Sequence, residues 1–99
     1  MGDQEILVLD QEMSLSREEF LRVLPVAVAH DQFSIDGEEV RHRSAGRSWR
    51  IVLRALADRR LGRLRLPRLE VRIFLCGYSR AETGSFLARL DQHFRRTGG

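Results

Sequence analysis

Ninety-nine residues with a net charge of +3 and one cysteine make a chain long enough to bury one core and too poor in cysteine for a disulfide framework. The longest apolar run, residues 23–29, is interrupted by Pro25 and is far shorter than the ~20 residues a membrane helix needs. A soluble, cytoplasmic, single domain over residues 1–99 is therefore expected, with residues 1–4 loose. All seventeen basic residues are arginine, as a GC-rich bacterial coding sequence produces. Residues 1–40 hold ten carboxylates and two arginines, a balance of −8, and residues 41–99 hold fifteen arginines and four carboxylates, a balance of +11. That asymmetry predicts either internal docking of acid onto base or two oppositely charged surfaces.

Taken in order, Glu5 to Asp10 (EILVLD) carries four consecutive apolar residues, the pattern of a short strand buried on both faces or central in a sheet. Ser16 stands three residues before Glu19, a capping box, with Leu15 and Phe20 at the positions of a hydrophobic staple. The helix it opens is predicted to run through about Leu24, with Phe20, Leu21 and Leu24 facing the core. Pro25 ends it or kinks a continuation through Ala29. In QFSIDGEEV the Asp36-Gly37 pair predicts a two-residue hairpin turn, with Phe33, Ile35 and Val40 sharing a face.

Ser44, Ala45 and Gly46 break the chain again, and the strongest alternation follows. From Arg47 to about Leu56, Trp49, Ile51, Leu53 and Ala55 fall on one side of a strand and Arg50, Val52 and Arg54 on the other. Ala57 to Gly62 reads as a turn, Arg63 to Leu66 as a short strand, and Pro67 as an edge, bulge or bend. Leu69, Val71, Ile73 and Leu75 then alternate with Glu70, Arg72, Phe74 and Cys76. A second capping box, Ser79 with Glu82, opens a helix to about Arg95 or Arg96 that aligns Phe86, Leu87, Leu90 and Phe94. Within it Gly84 implies close packing on a strand, and Arg95 and Arg96 oppose the helix dipole. The closing Gly98-Gly99 invites comparison with sulfur-carrier and ubiquitin-like proteins, but in those a strand reaches the diglycine. Here a helix does, and the pair reads as helix termination.

The order β-α-β-β-β-β-α gives an α+β fold, a two-layer α/β sandwich with a mostly antiparallel sheet of about five strands and two helices on one face. The opposite face is then open, and the alternation assigns to it Arg50, Arg54, Arg63, Arg65 and Arg72, with Val52, Phe74 and Cys76 among them. Those five arginines and Phe74 form the predicted partner-binding set. The expected function is a small non-enzymatic interaction module that binds a protein partner or a second copy through this face. The alternative is RNA or single-stranded nucleic acid on the same face, with Phe74 as a stacking platform. A solvated face shielded by arginine stems satisfies the same pattern. An enzyme built on Cys76 is a further alternative, requiring a histidine nearby. His30, His42 and His93 have no metal-site spacing and the adjacent glutamates no paired geometry, so no catalytic, cofactor-binding or metal-ligating residues are predicted.

Overall fold

In the computed structural model, residues 4–29 and 32–98 are described. Residues 1–3, His30, Asp31 and Gly99, together with the side chains of residues 96–98, lie outside the described residues, and with them the expected loose start, His30, the Arg96 side chain at the helix end and Gly99 of the closing pair. The elements are β1 (Ile6–Met13), α1 (Arg17–Val28), β2 (Ser34–Asp36), β3 (Glu39–Ser44), β4 (Arg47–Leu61), β5 (Leu64–Cys76) and α2 (Arg80–Gly98). All strand pairs are antiparallel, in the order β1-β5-β4-β3-β2, and the two helices cover one face. The two-layer α+β sandwich stands as expected.

The core comes directly from the period-two pattern. Trp49, Ile51 and Leu53 on β4, Leu69, Val71, Ile73 and Leu75 on β5 and Val40 on β3 are buried beneath Phe20, Leu24 and Ala27 of α1 and Leu90 and Phe94 of α2. The Phe20 and Phe94 rings stack with centroids 4.5 Å apart, which joins the two helices. Both capping boxes form. Ser16 Oγ accepts from the Glu19 amide at 3.1 Å while Glu19 accepts from the Ser16 amide at 2.9 Å, and Ser79 with Glu82 repeats both distances. These bonds also hold the Glu19 and Glu82 carboxyls below the ordinary carboxylate range.

Several expectations are corrected. The EILVLD segment is not a central or doubly covered strand: β1 lies at the sheet edge beside β5 alone, and Ile6 is 62% exposed. Its unbroken apolar run has a different cause. Leu7 pairs with Phe74 and Leu9 with Ile73, so Val8 is an extra, bulged residue, and Leu9 regains the core face one position late.

Helix α1 runs through Pro25 to Val28. Ala29 closes it in the left-handed conformation (φ 66°), its amide donating to the Pro25 and Val26 carbonyls. Burial of Ala27 one turn past Leu24 favours this continuation over a stop before the proline. The β2–β3 turn is Gly37-Glu38 rather than Asp36-Gly37, because Asp36 is paired with Glu39. Gly84 meets nothing within 4 Å of where a Cβ would sit, so it does not mark close packing. Gly77 does: at φ 80°, a Cβ there would lie 2.3 Å from the Gly46 carbonyl oxygen, where the chain leaves β5 against the β3–β4 turn.

The largest difference lies between Leu56 and Leu69. The expected turn at residues 57–62 is instead strand, with only Gly62 and Arg63 turning, and the short strand 63–66 is continuous with β5. β4 carries one extra residue between Leu56 and Arg59, and Pro67 stands opposite that bulge, where a missing amide costs no ladder bond. β3 stops pairing at Val52 and β1 at Leu69, so β4 and β5 continue beyond the sheet as a two-stranded ribbon. The molecule measures 52 × 25 × 21 Å along its principal axes.

Candidate interaction face

The open side of the sheet is built by the residues that alternate with the core. On β4 these are Arg50, Val52 and Arg54. On β5 they are Arg68, Glu70, Arg72, Phe74 and Cys76. β1 adds Leu7, Asp10 and Glu12, and β3 adds Glu39, Arg41 and Arg43. Three of the five arginines predicted here, Arg50, Arg54 and Arg72, are thus gathered around Phe74 and Val52.

The other two are not. β5 runs without a bulge, so Arg65 shares the parity of Leu69 and Val71 and lies on the helix-side face of the ribbon, opposite Arg60; Arg63 sits in the turn. Reading Arg63–Leu66 as a separate strand hid this, because a break at Pro67 would have freed the two segments to differ in phase.

Arg50 is the centre of the face. Its guanidinium lies over the Phe74 ring, 4.2 Å from the centroid, and bonds Glu5 through both forks (Nε to Oε2 at 3.0 Å, Nη2 to Oε1 at 2.9 Å). Nη1 reaches Glu39 Oε2 at 3.3 Å, so one side chain links the segment before β1, the β5 ring and β3. The Arg50 bond holds Glu5 below the ordinary carboxylate range, and Arg41, then Arg50, does the same for Glu39. A second fork joins Arg68 to Glu12 at 2.9 Å on both arms and keeps Glu12 low. Arg72 lies 3.6 Å from Asp10 and 3.9 Å from Glu70, and Arg54 lies 3.8 Å from Glu70.

The acidic first part of the chain therefore does dock onto the arginines. The face is a lattice of alternating charge, not a basic surface, and the partners of Arg50, Arg68 and Arg72 come mainly from β1, β3 and the residue preceding β1. Exposed pairs of this kind add little stability individually, but they fix the positions of the head groups.

The chemistry-bearing residues outside this face do not assemble. Cys76 is half-buried at the end of β5 opposite Ser48, on the open side. His42 projects to the other side, its ring 5.7 Å from that of Trp49, and His93 Nδ1 contacts the Arg89 carbonyl oxygen of its own helix at 2.9 Å. Among the described residues no three of His, Cys, Asp and Glu are grouped for a metal ion. Also among them, no helix is long and apolar enough to cross a membrane.

Sequence reasoning missed Glu5, Asp10, Glu12 and Arg68 as parts of the face. The charge asymmetry between residues 1–40 and 41–99 was their only signal, and it carried no positions. Comparison with known families finds no matching family model, and comparison with curated proteins and with solved structures finds no match.

Proposed function

We propose that the protein is an association module that docks a protein surface on its open sheet face, with a second copy of the chain as the occupant the charge layout fits best. The observation that carries this reading is the ordered, charge-balanced lattice around Phe74 and Val52. These two apolar side chains project from mid-sheet positions on the uncovered side, where contact with a partner suits them better than water.

Carboxylates dominate the β1 flank (Asp10, Glu12), whereas Arg41 and Arg43 on β3 and Arg54 on β4 lie toward the other side. A two-fold axis running along the strands lays the acidic flank of one copy over the basic flank of the other, and such an isologous contact is self-complementary. Glu5, Asp10, Glu12, Glu39 and Glu70 would repel phosphate, which makes the same face a poorer fit for RNA or single-stranded DNA.

The test is the molecular mass in solution across a wide concentration range, by sedimentation or light scattering. A dimer is expected. Val52→Asp, which replaces an apolar group in the middle of the contact with a charge that must lose its water, should weaken it at least tenfold while thermal unfolding stays cooperative. A chain that is monomeric at every concentration, or a dimer indifferent to Val52→Asp, would overturn the reading.

A further inference from the structure

The β4–β5 ribbon beyond the sheet has a composition unlike the rest of the molecule. Residues 58–68 (DRRLGRLRLPR) hold five arginines against Asp58, a balance of +4, which exceeds the +3 of the whole chain. The excess positive charge of the protein is therefore in this arm, and the remainder is close to neutral.

Two of the five, Arg59 and Arg68, reach back to Glu12 at 3.7 and 2.9 Å. Arg60, Arg63 and Arg65 have no carboxylate partner among the described residues. Arg60 and Arg65 are directly opposed across the ribbon, and like charges in that position destabilise a strand pair. Among the described residues no further strand pairs with the arm to offset this: β1 and β3 have ended, and Leu61 and Leu64 on its other face are 55% and 64% exposed. The arm spans Leu56 to Leu61, which at about 3.3 Å per residue is roughly 20 Å.

We propose that this arm binds the phosphate backbone of duplex DNA. Uncompensated guanidinium groups at the tip of a narrow ribbon match the regular phosphate rows of a duplex, and the B-form major groove admits a two-stranded β-ribbon. Phosphate is the ligand that turns the Arg60–Arg65 opposition from a cost into an attraction. The deep, narrow major groove of duplex RNA does not admit such a ribbon, which directs the choice to DNA. Leu61 and Leu64, beside the turn, are the apolar groups available to press against sugars or a base step. The arm is distinct from the sheet face and leaves it free for association.

Fluorescence anisotropy with a labelled mixed-sequence DNA duplex tests this, using the full chain. Three phosphate contacts give a salt slope of about −2.7, so affinity should fall about 40-fold between about 50 and about 200 mM salt. The triple variant Arg60→Ala, Arg63→Ala, Arg65→Ala should lose at least tenfold in affinity with an unchanged circular dichroism spectrum. Its triple lysine counterpart should keep binding, because the contact needs charge. Measured in a Val52→Asp background, the triple alanine change should cost the same factor in duplex affinity, which separates this result from the fate of the sheet face.

The proposal is overturned by absence of binding at the lower salt, by equal binding of the triple alanine variant, or by tighter binding to a single strand of the same length. It is also overturned if the arm binds vesicles of three parts phosphatidylcholine to one part phosphatidylserine and not the duplex.

Discussion

The two halves of one hairpin make an instructive contrast. Between Trp49 and Val52 on β4, and between Leu69 and Cys76 on β5, every core-side residue is buried, and the described arginines opposite them are met by carboxylates of neighbouring strands. Beyond Leu56 and Arg68 the same two strands continue with the same residue types, yet Leu61 and Leu64 are exposed, and among the described residues Arg60, Arg63 and Arg65 form no ion pair with a carboxylate. Sequence alternation is similar in both halves. What differs is lateral company: the body of the hairpin lies between β1 and β3 with two helices above, and the arm has neither. A strand's side chains acquire burial or charge neutralisation from elements far away in the chain, so equal patterns lead to unequal surfaces.

The largest effect that separates the two halves is burial. Ile51→Ala in the body should cost about 3 kcal/mol, as large-to-small changes in a packed core do, and Leu61→Ala in the arm should stay within about 0.5 kcal/mol. Urea unfolding of the two variants checks this, and similar losses would show that the arm is packed on something. A smaller contrast is expected for charge. Arg50→Ala removes the Phe74 stack and leaves Glu5 and Glu39 without their shared partner, a loss of about 1 kcal/mol, whereas Arg60→Ala relieves a like-charge opposition and should be neutral or slightly stabilising.

The smallest effect is acid sensitivity. Glu5, Glu12 and Glu39 all have folded-state pKa values below their ordinary ones because arginines hydrogen-bond their charged forms. Their stabilisation is fully present above the unfolded glutamate pKa of about 4.3 and is lost as the pH falls through the lower folded values. Amide hydrogen exchange along β1 should therefore rise in acid before that of the arm changes, since the arm draws on these pairs only at its base. Simultaneous loss of protection in both would break the contrast.

Much of the body was legible from local rules. The capping boxes at Ser16 and Ser79 need only residues three apart, and the core faces of β4 and β5 need only alternation, so both were readable without knowing what packs on what. Other features depended on competition between a local preference and a distant contact. Pro25 disfavours helix locally, and burial of Ala27 outweighs it. The apolar run at Ile6–Leu9 has the composition of a doubly buried strand, and a bulge at Val8 produces the same composition at an edge. Pro67 by itself suggests a break that leaves the phase of residues 63–66 open, and the bulge on β4 opposite it lets β5 run through unbroken, which puts Arg65 on the helix side.

From its sequence alone this protein was bound to form two capped helices, a hairpin with one apolar side, and an acid-rich first part facing a basic remainder, because capping, alternation and charge count are properties of neighbouring residues. Only the tertiary structure decided that Glu5, Asp10 and Glu12 meet the arginines of the sheet, and that Arg60, Arg63 and Arg65 are left beyond their reach. Those outcomes depend on strand order and on where β1 and β3 end. Ion pairing across a sheet is a matter of distance in space, which residues dozens of positions apart acquire only when the chain has closed.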